Sequence, residues 1–284
     1  MIYGRLFFDV GLQYNPDALL ICIFVNDIAN TPTKLPEDPF SVSSLEENKF
    51  KKIIHALWPR VYTLWNIFTF KREHTNKTKT TDFISTITKR AKRQHIPQSQ
   101  IDSWKKTLPE DLVKAINEDK FNGSILAYGL LCPKYWSDSI DISTDSAKKK
   151  WENFKKLLSV IITRTKQLKI ETAVVLIPCI FQYDPKSNDK NNPWIIAGSE
   201  IKKVWLHSET EIQRKMRHWA RAEDVPFLDL TPIFRDEFQS GKNFNFELDG
   251  HWNQLGHRLV AETITLWLYD KKVFSFIRDD IKSQ

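Results

Sequence analysis

The chain has 284 residues and a formal charge of +7, with 41% hydrophobic, 27% charged and 12% aromatic side chains. That length accommodates one large α/β domain with an elaboration, and that composition excludes wholesale disorder. No apolar run approaches the roughly 20 residues of a membrane-spanning helix, and the N-terminus lacks the basic and apolar regions of a secretion signal.

The basic excess lies in short tracts, Lys148-Lys149-Lys150 and Lys89-Arg90-Ala91-Lys92-Arg93. These read as solvated helix faces. No zinc-finger spacing or RNA-binding aromatic signature accompanies them, so no nucleic-acid partner is expected. Cys22, Cys132 and Cys179 are scattered and odd in number. Buried free thiols are expected at Cys22 and Cys179, which lie in apolar runs, rather than a disulfide framework or a metal site.

In chain order, residues 5–14 form an amphipathic helical tail that Asn15-Pro16-Asp17 ends. Residues 18–25 (ALLICIFV) are apolar without alternation, the pattern of a strand buried on both faces. Residues 31–145 read as a helical insertion. It comprises a proline-rich loop, a helix over 45–70, a polar loop over 71–81, and helical pieces over 82–94 and 98–115. A strong amphipathic helix is expected over 146–168, then an apolar strand over 172–178 (TAVVLIP) and a loop over 183–193. A helix over 199–222, a short strand over 226–230 and a last helix over 254–268 complete the chain. The last helix turns Leu255, Leu259, Val260, Ile264 and Trp267 inward. Strands alternating with helices predict a parallel sheet covered by helices, within a single domain over 1–284.

The segment Glu247-Leu248-Asp249-Gly250-His251-Trp252-Asn253 lies between the last strand and the last helix. A carboxylate two residues from an imidazole suits a hydrolase: the carboxylate holds the ring's tautomer, and the far nitrogen takes a proton from a nucleophile. The plainer alternative is a turn aspartate with an exposed histidine. Asn253 is placed to cap the last helix, Gly256 to let it pack closely on the sheet, and His257 reads as a packed or surface residue. At the other end, Asn26 follows the first strand in Phe24-Val25-Asn26-Asp27. Ligands of open parallel sheets bind beyond the carboxyl ends of strands. An asparagine amide there can donate to an oxyanion, an interaction worth about 3–4 kcal/mol in a serine hydrolase. The alternative is a simple Asn-Asp turn. Ser199, in Gly198-Ser199-Glu200 before a predicted helix, reads as an N-cap rather than a nucleophile.

Taken together, Pro16-Asp17, an apolar strand, Asn26-Asp27-Ile28 and the late block Asp249-Gly250-His251-Trp252-Asn253 resemble the SGNH/GDSL esterase superfamily. Residues 174–178 and 228–232 look like its intermediate strands. The Asp-x-His-Trp-Asn form is similar to the branch of carbohydrate O-acetyltransferase-like and esterase-like proteins. The resemblance implies a three-layer α/β/α, flavodoxin-like fold with a helical insertion. It further implies a serine-type hydrolase or acyltransferase acting on an acyl ester such as an O-acetylated carbohydrate, with no metal or organic cofactor. His251 would be the base, Asp249 its orienting carboxylate and Asn26 an oxyanion donor.

Two departures stand out. Phe24 occupies a position where the family has glycine. The family's opening strand, ending in Gly-Asp-Ser, is not found before Gly4, and Tyr3-Gly4 is at most a remnant of the following glycine block. The resemblance therefore implies a nucleophile upstream of Met1, with the first strand missing and this chain an inactive, truncated fragment. An unpaired apolar strand edge would be an aggregation hazard. The rival expectation is a non-catalytic carbohydrate-binding or assembly pseudoenzyme. Acyl group, acceptor and compartment stay open, with the cell envelope implied if an upstream signal or anchor exists.

Overall fold

The computed structural model describes residues 6–35, 83–118, 123–246 and 250–275. The helix expected over 45–70, the loop over 71–81, Tyr3-Gly4 and Asp249 lie outside them.

Three parallel strands form the sheet among the described residues, in the order β1 (Ala18–Phe24), β2 (Glu171–Ile177), β3 (Phe227–Asp229). β1 and β2 pair along their whole length, from Ala18 opposite Glu171 to Phe24 opposite Ile177. β3 joins β2 from Val174–Phe227 to Leu176–Asp229. The apolar runs predicted as strands are the strands, within a residue or two at each end. β-Branched and aliphatic side chains without alternation need a partner on both faces, and each face has one. Ile21, Ile23, Val174 and Leu176 pack with Trp151, Phe154, Leu158 and Ile162 of α6 (Asp145–Gln167) and with Ile212, Met216 and Trp219 of α8 (Glu211–Ala222). On the opposite face, Leu20, Cys22, Val175 and Ile177 meet Phe234 of α9 (Thr231–Gln239) and Leu259, Val260, Ile264 and Trp267 of α10 (Gln254–Asp270). Among the described residues β1 is an edge strand, with a groove of about 400 Å³ lined by Phe7, Leu19, Leu20 and Ile21 beside it.

Several expectations change. Residues 98–115 are two helices, α2 (Gln98–Thr107) and α3 (Glu110–Asn117), because Pro109 between them lacks the N–H to continue the ladder. Before them, α1 (Phe83–Arg93) turns Ile87 and Ala91 inward and exposes Lys89, Arg90, Lys92 and Arg93, as solvated basic tracts should be. Two helices that the sequence did not separate follow, α4 (Ser124–Leu131) and α5 (Tyr135–Ile140). Residues 199–222 are not one helix. A short α7 (Pro193–Ile196) precedes Gly198, whose φ of 95° turns the chain. A 3₁₀ turn over Lys203–Leu206 then buries Trp205, and α8 begins only at Glu211. Thr210 supplies the start signal: its hydroxyl and N–H meet the Gln213 side chain in a capping box. Ser199 is therefore not an N-cap. It is buried, and its hydroxyl has no partner among the described residues. Leu255 is exposed at the start of α10, so that helix's inward stripe begins at Leu259.

All three cysteines are free. Cys179 is buried as expected, and burial pushes its thiol up to about 12; Cys22, expected to be buried, is only half-buried in its strand, which still raises its thiol, and Cys132 is exposed. Iodoacetamide should modify Cys132 first and leave Cys179 intact in the folded protein, because the thiolate is the reacting species. Peptide mass spectrometry over time checks this; equal labelling of Cys179 would mean that its site opens readily. No described helix is long and apolar enough to cross a membrane.

Candidate functional site

A cavity of about 170 Å³ lies beyond the carboxyl ends of β1 and β2, and both Asn26 and His251 line it. It opens where ligands of parallel sheets bind. Asn26 sits in the 3₁₀ turn Val25–Asp27 that closes β1. The Asp27 carboxylate accepts the Phe24 N–H at 2.9 Å, locking the turn, and Thr31 Oγ1 donates to the Asp27 carbonyl. Helix α6 holds the following loop, with Lys150 Nζ on the Ala29 carbonyl and Asn153 Nδ2 on that of Pro32. Phe24 needs no glycine's freedom, since its φ of −87° and ψ of 140° are ordinary extended backbone. Its ring packs edge-on against Trp136.

His251 is exposed and is carried by a short antiparallel clamp between Asn245 and Trp252. Phe246 N donates to the His251 carbonyl, and Asn253 N to that of Phe244. The clamp is anchored below by Trp252, stacked on Phe234 at 5.3 Å, and by Asn245, which accepts from the Tyr183 hydroxyl and donates to the Gly250 carbonyl. Gly250 takes a φ of 75°, which a side chain would strain. Asn253 caps α10 as expected: its Oδ1 accepts from Leu255 N and Gly256 N, a cap worth about 1 kcal/mol. Its amide also donates to the carbonyls of Asn243 and Asn245, coupling the helix start to the clamp. Gly256 does permit close packing, but against the Phe244 carbonyl and Trp252 of the clamp rather than the sheet. His257 is an exposed residue whose ring meets Trp252 edge-on.

Other groups in the cavity went unnoticed in the sequence. Ser124, at the first residue of α4, lines it with a hydroxyl; the Gly123-Ser124 pair before an apolar helix was its only signal. Tyr135, from α5, brings its phenol to the side chains of Asn26 and Asn30. Burial, with the neighbouring Tyr128, pushes that phenol up to about 12, so it stays a neutral donor. Tyr128 stacks on Tyr135 with ring centres 4.7 Å apart. Trp136 and Phe181 form the buried floor, and the Trp136 indole N–H has no acceptor among the described residues. These aromatic positions come from three separate elements, so no local spacing announces them.

A second cavity, of about 200 Å³, adjoins the first across Ile180, Trp194 and Gly250. Its lining includes the polar side chains of Asp184, Lys186, Asn192, Asn243 and Asn245. Asp184 is buried, and this raises its carboxyl above the ordinary range, partly offset by the hydrogen bond from Lys186 N. A raised folded-state pKa favours the protonated form, so the ionised carboxylate weakens the fold above that pKa, and the effect fades as pH falls through it. Asp184→Asn keeps an acceptor for Lys186 N. It should raise the melting temperature modestly at neutral pH, with the gain shrinking in acid; a loss of stability at neutral pH would show that the charge itself is needed. Among the described residues no cluster of histidine, cysteine or carboxylates could hold a metal.

No protein-family model, curated protein or solved structure matches this chain.

Proposed function

We propose that the chain carries the base and oxyanion side of an SGNH/GDSL-type ester-cleaving or acyl-transferring site, on a three-layer α/β/α domain of flavodoxin-like order. The observation that supports this most is that Asn26 and His251, from opposite ends of the sequence, share one cavity beyond the carboxyl ends of parallel strands. The run β1-β2-β3 is also what one half of a doubly wound sheet contains.

In this reading a serine hydroxyl attacks the ester carbonyl while His251 takes its proton, later returning it to the leaving alcohol. The Asn26 amide donates to the oxyanion, and Asp249 orients the imidazole. The Cys179 thiol, kept neutral by burial, is no substitute nucleophile. The test is turnover of nitrophenyl acyl esters, with covalent capture by a fluorophosphonate, on this chain and on the longest reading frame that contains it. Turnover and capture lost together in His251→Ala support the reading, and the captured peptide names the nucleophile, Ser124 included. Absence of both activities from both proteins sinks it and leaves a carbohydrate-binding or assembly role, to be read by saccharide titration.

A further inference from the structure

We propose that the cavity shared by Asn26 and His251 takes an aromatic acyl group, of the benzoyl or cinnamoyl kind, rather than acetyl. The inference rests on the ester reading above and adds the class of acid to it. Its first support is the ring arrangement. Trp136 and Phe181 meet edge-to-face at 5.2 Å on the floor. Trp194 stands edge-on to both, at 5.3 and 5.9 Å. Tyr128 lies parallel to Trp194, with centres 5.8 Å apart and planes 17° from each other. Aromatic pairs prefer these stacked and edge-on geometries, so a planar guest finds both kinds of partner at once.

Size gives the second support. A cavity of about 170 Å³ between such walls leaves an acetyl group without contact on most sides, and unfilled apolar space forfeits dispersion. A phenyl or styryl group reaches floor and walls together.

A sugar ring makes a poorer guest here. The polar groups of this cavity, Asn26, Ser124, Tyr135 and His251, are those the ester reading places around the reacting carbonyl, while a further polar set, Asp184, Asn192 and Asn243, lines the adjoining cavity and suits a sugar's hydroxyls. With Gly250 and Trp194 lining both spaces, the first suits the acyl group and the second a polar alcohol.

The experiment is isothermal titration of the chain with trans-cinnamate, acetate and glucose, which reads binding without requiring turnover. Cinnamate should bind at least about tenfold tighter than acetate or glucose. Tyr128→Ala should weaken cinnamate about fivefold or more, while Tyr128→Phe, which keeps the ring, should retain it. Melting temperatures check that both variants fold. Acetate binding as well as cinnamate, glucose binding better, or no binding of cinnamate each overturns the proposal. Cinnamate binding without ester turnover supports the ligand class and strikes the catalytic reading alone. Turnover of acetyl esters without cinnamate binding strikes this inference alone.

Discussion

Gly129→Ala is expected to lower stability by about 3 kcal/mol, the upper end of the usual range for overpacking. Gly129 lies inside α4, where a Cβ would stand 1.8 Å from the Ala197 carbonyl oxygen and 2.2 Å from its carbon. Those are backbone atoms, just past the end of α7, and no rotamer moves them aside. The two helices must separate, and the cluster of Leu126, Leu130 and Ala197 loosens with them. For a chain of 284 residues the change corresponds to a fall in melting temperature of about 5 °C. The site should suffer too, because Tyr128 on α4 and Trp194 on α7 are the stacked walls of the cavity. Thermal unfolding followed by circular dichroism measures the first effect and cinnamate titration the second. A variant that melts like the wild type would show that α4 and α7 are not packed this closely.

On the proposed ester reading, and in the reading frame that supplies the nucleophile, His251→Ala should abolish most ester turnover, a loss of about 10²–10⁴ in kcat, since a positioned general base contributes on that scale. Asn26→Ala should cost about 10²–10³, the value of one oxyanion donor. Both losses should fall on kcat with KM little changed, because the proton transfer and the oxyanion exist only in the transition state. Neither variant should melt differently by more than about 0.5 kcal/mol, since His251 is exposed and Asn26 is half-buried in a turn held by Asp27, Lys150 and Asn153. Loss of turnover with intact stability separates chemistry from folding. If His251→Ala is inactive and Asn26→Ala is not, Asn26 merely bounds the cavity, and the Tyr135 phenol beside it becomes the donor to test.

The two sites also differ in what they ask of the scaffold. Asn26 is fixed by bonds within its own turn and by the neighbouring α6, so it is set once β1 is seated. His251 depends on a clamp assembled from Phe244, Asn245, Phe246, Trp252 and Asn253, whose anchors Phe234 and Tyr183 come from elsewhere in the chain. Substitutions at those anchors should therefore affect the imidazole before they affect Asn26.

What the sequence determined by itself is the part governed by local pattern. The runs ALLICIFV and TAVVLIP are too apolar and too short to be anything but doubly covered strands, and the stripe from Trp151 to Ile162 specifies one long helix. Asn253 announced its cap, and Asn26 and His251 could be singled out by residue type and by their places after strand and before helix. Elsewhere the local pattern misled. Ser199 before Glu200 imitates a helix start, yet Thr210 with Gln213 makes the stronger one, and burial of Trp205 fixes the intervening chain. Only tertiary structure decided that Asn26 and His251 face one cavity, and that Ser124, Tyr128, Tyr135, Trp136 and Trp194 enclose it with them. Those aromatic side chains come from helices α4, α5 and α7, whose hydrophobic periodicity is indistinguishable from that of core residues. A ring becomes a cavity wall rather than core through what stands opposite it, and that neighbour lies far away in the chain.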